Sequence, residues 1–200
     1  MTATPLWFGP PERPLFGWVH VPEGGQARGA VVLCPPLARE LTSTQHCYRL
    51  LAEALAGAGM LAVRFDYDGT GDSAGGDRDP HRVESWLTSI AHAVDLARAC
   101  GPQAVSLVGM RVGGLLAAVE AARLGSIDAV VLWDPCPSAR AFVREQAALQ
   151  SMRSDVHRCL LYTSRLGSPS EPGPGRRAAG SPAGAAAIRA RRGSDPGRAD

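Results

Sequence analysis

The sequence lacks any apolar run near the roughly 18 residues that a membrane-spanning helix needs. Its N-terminus also lacks the basic region and apolar stretch of a signal peptide. The formal net charge is only +2, and much of the basic excess lies close to the C-terminus, which does not suggest nucleic acid as a partner. We therefore expect a cytoplasmic protein without a membrane span, and composition leaves its oligomeric state open.

Paired cysteines are lacking too. The five cysteines are odd in number, widely scattered and never spaced as CxxC. This argues against both a disulfide framework and a zinc site. We expect no metal and no cofactor.

Apolar strands alternate with amphipathic helices from residue 15 onward. Strands are predicted at Leu15 to Val21, Ala30 to Cys34, Met60 to Asp66, the run ahead of Gly109 and Ile127 to Trp133, and helices from about Ser43, from Asp79 and after Arg111. This order implies parallel βαβ units, and therefore an α/β fold with a doubly wound, mostly parallel sheet. Ligands of such sheets bind beyond the carboxyl ends of the strands. One crevice is thus expected among four loops, Pro35 to Glu40, Tyr67 to Ser73, Met110 to Val112 and Asp134 to Pro137.

The segment Gly109-Met110-Arg111-Val112-Gly113 has the Gly-x-Ser-x-Gly pattern of a nucleophile elbow, with arginine at the nucleophile position. Gly109 and Gly113 meet the steric demand of the tight turn. A guanidinium stays protonated at physiological pH, so Arg111 cannot attack a carbonyl as serine would. The pattern therefore predicts a tight strand-to-helix turn, but it leaves open whether the protein is catalytic.

Three further segments carry a family resemblance: Cys34 to Glu40, Phe65 to Ser73 with its Gly-x-Gly-x-Ser loop, and Leu132 to Pro135. With the turn at Arg111, the chain resembles the α/β-hydrolase family in its serine-aminopeptidase-like branch. Within that branch it is similar to exosortase-associated hydrolase-like proteins that carry arginine in the elbow. The resemblance covers roughly residues 14 to 153 and implies a truncated α/β-hydrolase fold, the C-terminal part missing, and acyl ester or peptide-like substrates.

The resemblance also assigns roles to single residues. Arg111 takes the nucleophile position, and the backbone amides of Val112 and Leu37 take the oxyanion-binding positions, since Pro35 and Pro36 have no N–H. Asp134 is a candidate acid of a displaced triad, although a strand-end aspartate before proline is more often a turn former. No histidine occupies the triad position, so this chain is expected not to be catalytically competent.

Several alternatives stay open at this stage. Arg111 either clamps a small acyl or carboxylate ligand or forms a structural ion pair with Glu40. Cys34 or Ser73 could serve as another nucleophile, although neither has a histidine placed to activate it. A dinucleotide-binding turn at residues 69–71 is a rival reading, and a non-catalytic binding or scaffold protein on a hydrolase fold is the alternative function.

The predicted domain organisation has three parts. Residues 1–14 form an N-terminal extension, residues 15–158 form the truncated hydrolase domain, and residues 159–200 form a disordered low-complexity tail. Residues 159–164 resemble the translation of a sequencing-library adapter, and the following stretch reads like GC-rich DNA in a wrong frame. The alternative is an authentic linker or low-complexity tail.

Overall fold

The computed structural model describes the backbone of residues 2–166 and the side chains of residues 2–152. Its strands are β1 (Thr2–Phe8), β2 (Leu15–Val21), β3 (Ala30–Cys34), β4 (Leu61–Phe65), β5 (Val105–Met110) and β6 (Ala129–Trp133). They form one sheet in the order β1-β2-β4-β3-β5-β6. Strands β3 to β6 pair in parallel, and β1 and β2 add an antiparallel edge.

Four helices accompany the sheet: α1 (Arg39–Gly57), α2 (Arg82–Ala99), α3 (Val112–Leu124) and α4 (Ala139–Leu166). Apolar residues of α1 pack on one face of the sheet, around Leu33 and Ala62. Residues of α2 and α3 pack on the other face, around Val32 and Val63. With helices on both faces, every residue of β3 is buried, which explains its unbroken apolar run. The predicted fold class, a doubly wound and mostly parallel α/β sheet, is confirmed.

Residues 1–14, predicted as an N-terminal extension, contain strand β1, which pairs with β2 over its whole length. The strand contains Pro5, which argues against a position inside a sheet. Strand β1 lies at the edge of the sheet, however, where a missing backbone N–H costs little. Edge position is a property of the tertiary fold, so the local pattern could not reveal it.

Two helix starts also differ from the prediction. Helix α1 begins at Arg39, four residues ahead of Ser43, directly after a turn at Ala38 with φ of 58°. Helix α2 begins at Arg82, after His81 in the left-handed conformation. Asp79, the predicted start of this helix, instead accepts a 3.0 Å hydrogen bond from the N–H of Gly76. Its carboxylate is therefore used by the preceding loop.

Helix α4 continues past residue 158, through positions 159–166 that were assigned to the tail. From residue 139 to residue 166 there is no glycine or proline to end it. The remaining residues of the predicted tail, 167–200, lie outside the described part of the chain. The chain divides into two units, residues 1–155 and 156–200, and the sheet belongs to the first. Within the described residues, no helix is both long and apolar enough to cross a membrane.

Candidate functional site

Strand β5 passes into helix α3 through a single residue, Arg111. Its φ of 54° and ψ of −124° place a non-glycine residue in a sparsely populated backbone region. The turn is held on both sides: the N–H of Arg111 donates to the carbonyl of Trp133 at 3.0 Å, and its carbonyl accepts from the N–H of Gly114 at 3.1 Å. The β5–α3 turn thus presents the Arg111 side chain at the carboxyl edge of the sheet.

The glycines around Arg111 allow a close approach between the β5–α3 turn and the loop after β3. A Cβ atom on Gly113 would lie 2.3 Å from the carbonyl oxygen of Pro35 and 2.5 Å from that of Cys34. A Cβ atom on Gly109 would lie 2.5 Å from the carbonyl oxygen of Gly113. No larger residue fits at either position without a shift of backbone, so the first turn of α3 rests directly on the β3 loop.

Backbone strain concentrates in the crevice. Besides Arg111, Ala38 after β3 and Asp134 after β6 have positive φ, at 58° and 44°. Such conformations cost on the order of 1–3 kcal/mol each and persist where the surrounding structure enforces them. Of the four non-glycine residues with positive φ in the described chain, three therefore border one crevice.

The guanidinium of Arg111 is surrounded by carboxylates on three elements. Its Nε donates to Oε1 of Glu40 on α1 at 3.0 Å, and its Nη1 reaches Oδ2 of Asp134 at 3.5 Å. Its Nη2 donates to Oε2 of Glu145 on α4. All three nitrogens are engaged, and we call these four residues the Arg111 cluster. The hydrogen bond donated to Glu40 raises the pKa of Arg111 above its usual value.

The cluster contains the contact with Glu40 that was predicted from the loop order. Asp134 also contacts Arg111, although its side chain is 73% exposed and its role as a triad acid stays a prediction. Glu145 was not predicted. The only sequence signal available was its place in an amphipathic segment after the β6 loop, which does not reveal that the helix meets Arg111.

Leu37 and Val112, the predicted oxyanion-binding residues, are both buried beside the crevice. Val112 is the first residue of α3, so its backbone N–H has no acceptor inside the helix. Leu37 follows the proline pair whose first carbonyl lies against Gly113. Their function in binding an anion stays a prediction.

None of the four histidines with described side chains joins the cluster. His20 lies in β2, His46 in α1, His81 before α2 and His92 in α2. Among residues with described side chains, no histidine hydrogen-bonds to Arg111 or to its carboxylate partners. The fifth histidine, His157, lies outside the described side chains.

The alternative nucleophiles have structural roles. The hydroxyl of Ser73 is 2.6 Å from the carbonyl oxygen of Asp66, to which it donates, and accepts from the N–H of Phe16 at 2.9 Å. Cys34 is fully buried, and burial raises the pKa of its thiol far above its usual range. Neither side chain is therefore placed or ionised for nucleophilic attack.

The glycine loop after β4 is filled by the protein's own side chains. A Cβ atom on Gly71 would lie 2.1 Å from the carboxylate of Asp66, and Asp68 is bound by Arg13 and Arg82. A pyrophosphate would meet these carboxylates, so the dinucleotide-binding interpretation is not supported. Within the described residues, no group of three or more histidine, cysteine, aspartate or glutamate side chains could hold a metal ion.

Solved structures of other proteins share this fold. An α/β serine hydrolase without a lid from Xanthomonas campestris is 25% identical, with a TM-score of 0.57 over 70% of this chain and 64% of its own. A serine hydrolase homologue from Coxiella burnetii is 19% identical, with a TM-score of 0.58 over 72% and 68%. Est1E from Butyrivibrio proteoclasticus, with ferulic acid bound, is 21% identical, with a TM-score of 0.56 over 65% and 52%. No curated protein matches the chain.

The parallel strands, the helices on both faces and these neighbours define an α/β-hydrolase fold. The chain spans between 52% and 68% of the length of these three structures. Residues 25–171 match the family described as serine aminopeptidase, S33. The chain belongs to this family, as the resemblance of its motifs implied.

Proposed function

We propose that this chain is a non-catalytic member of its hydrolase family, whose crevice binds a small acyl or peptide-like molecule without cleaving it. In α/β hydrolases the nucleophile sits on a sharp turn between a strand and a helix. The β5–α3 turn corresponds to that position, and it carries Arg111. A permanently protonated guanidinium has no lone pair with which to attack a carbonyl.

One observation carries this proposal: every nitrogen of the Arg111 guanidinium is bound by a carboxylate of the protein. A free guanidinium above the helix N-terminus could clamp the carboxylate of a ligand. Here Glu40, Asp134 and Glu145 each already contact one of its three nitrogens. The cluster supports the structural ion pair over the ligand clamp.

The alternative is a hydrolase that acts on acyl esters or peptide-like substrates by a mechanism without serine. Its support is the retained strain at residues 38, 111 and 134, because strained backbone often marks active sites. Cytoplasmic location and the narrower similarity to exosortase-associated proteins stay predictions.

A hydrolysis assay with p-nitrophenyl acetate and p-nitrophenyl butyrate separates the two functions. We expect the wild-type chain and Arg111→Ser to release p-nitrophenol no faster than buffer, since no described histidine is placed to activate a serine at position 111. The control is Arg123→Gln, which removes an exposed arginine paired with Glu84 on the protein surface. Turnover that Arg111→Ala abolishes and Arg123→Gln retains would establish an enzyme and overturn the proposal.

A further inference from the structure

A cavity of about 320 Å³ lies on the α1 face of the sheet and does not include Arg111. It is bounded by β2, β4, the start of α1 and the loop after β4; we call it the Arg64 cavity, and its main lining residues are Trp18, Leu41, Tyr48, Arg64, Asp66 and Asp72. Its volume is at the lower end of the roughly 300–1,000 Å³ that small-molecule sites occupy. The cavity shares Pro35, Gly71 and Asp72 with the loops around the predicted crevice, and the proposed function assigns no role to its charged residues.

Arg64 points into the cavity because of strand geometry. Residues two apart in a strand share a face, so Arg64 lies on the same side as Ala62, which packs against α1. In the register of the sheet, Trp18 of β2 lies directly opposite Arg64. The guanidinium carbon lies 5.7 Å from the centre of a Trp18 ring, a distance typical of a cation–π contact.

The Arg64 guanidinium is held in one orientation, and only one of its three nitrogens has a hydrogen-bond acceptor among the described residues. Its Nε donates to Nε2 of buried His20 at 3.1 Å. Among the described side chains, no acceptor binds its two terminal nitrogens and no carboxylate pairs with it. The contact with Trp18 and the hydrogen bond to His20 hold the planar guanidinium, so its two terminal nitrogens are pre-organised to bind two oxygens of one carboxylate or phosphate.

Two carboxylates stand in the same cavity. Asp66 follows Arg64 by two residues on the same face and accepts the N–H of Asp72 at 3.1 Å, while Asp72 is exposed at the rim. Neither aspartate forms an ion pair within the described side chains. Burial raises the pKa of Asp66, and the hydrogen bond from the Asp72 N–H and the nearby Arg64 charge only partly oppose this effect.

The three charges select the chemistry of a ligand. The Arg64 fork favours a carboxylate, and the two aspartates favour a cation and repel a multiply charged anion such as phosphate. The remaining walls combine apolar residues, among them Phe16, Leu33 and Leu41, with the polar Thr44 and Gln45. We propose that the Arg64 cavity binds a small amino-carboxylate zwitterion with an apolar side chain, such as a free amino acid.

Calorimetric titration of the full chain with three matched probes tests this proposal. The probes are L-leucine, 3-methylbutan-1-amine, which lacks the carboxylate, and 4-methylpentanoate, which lacks the amine. We expect leucine to bind and each truncated probe to bind about tenfold more weakly or worse, because each loses one charge-assisted contact. Absence of leucine binding up to millimolar concentration, or equal binding of 4-methylpentanoate, would overturn the proposal.

Two variants test which residue binds the carboxylate of leucine and which binds its amine. Arg64→Gln should weaken leucine about tenfold or more, whereas the surface variant Arg123→Gln should leave it unchanged. Asp72→Asn, in an exposed loop where folding is not at risk, should weaken leucine and leave 4-methylpentanoate unaffected. Leucine binding that is unaltered in both Arg64→Gln and Asp72→Asn would refute the assignment.

Discussion

Substituting Gly113 by alanine tests the close contact between α3 and the loop after β3. The added methyl group would lie 2.3 Å and 2.5 Å from two backbone carbonyl oxygens, which cannot rotate away as a flexible side chain could. Overpacking a tight interior site costs about 1–3 kcal/mol, and backbone neighbours place this substitution at the upper end. Alanine recovers about 0.5–1 kcal/mol of helix propensity, so the net loss should be about 2 kcal/mol.

The matched control is Gly57→Ala at the end of α1. Gly57 is also helical, and a Cβ atom there would meet nothing within 4 Å. This substitution should therefore stabilise the protein by about 0.5 kcal/mol through lower entropy of the unfolded chain. The two variants have the same chemistry and opposite expected signs.

Thermal unfolding followed by circular dichroism measures both effects. For a chain of this size, 1 kcal/mol corresponds to about 2–4 °C, so Gly113→Ala should melt roughly 4–8 °C below wild type. Gly57→Ala should melt about 1–2 °C above it. A Gly113→Ala variant as stable as wild type would refute the packing of α3 against the Pro35 carbonyl.

Two further substitutions probe buried polar groups. Tyr48→Phe should lose about 2 kcal/mol in urea unfolding, because the hydroxyl donates to the carbonyl of Cys34 at 2.8 Å and accepts the N–H of Met110 at 3.1 Å; no loss would contradict these bonds. Glu120→Gln should stabilise the protein at pH 7 and above, because burial raises the pKa of Glu120 and so disfavours its charged form in the folded state. The gain in stability should vanish as the pH falls below the pKa of Glu120 in the unfolded chain, where the wild-type side chain is neutral as well. Unfolding curves between pH 3 and 8 measure this, and a Glu120→Gln variant less stable than wild type at pH 8 would contradict the prediction.

Much of the sheet could be predicted from local sequence patterns. Leu15–Val21 and Ala30–Cys34 have the predicted bounds. The first is rich in β-branched and aromatic residues and ends at a turn, and the second is an apolar run that a proline pair ends sharply. The contact between Arg111 and Glu40 was also predictable, since parallel strands bring their following loops to one edge. These inferences needed only pattern and topology.

Other features depend on long-range packing. Strand β1 exists because β2 offers it an edge, and Glu145 meets Arg111 only through the path of α4 after the β6 loop. The Arg64 cavity depends on the register that sets Trp18 opposite Arg64. In the sequence Arg64 is one polar residue in an apolar strand, which carries no sign of an oriented cation.

Strand β6 is the last strand in the described sheet order, and all five of its residues are exposed. Val131 and Trp133 are 52% and 45% exposed. Within the described residues no strand pairs with the outer edge of β6, and an edge flanked by apolar side chains is a template for adding a strand from another chain. A second copy of the chain could add a strand at this edge, and melting curves recorded over a range of protein concentrations show whether it does.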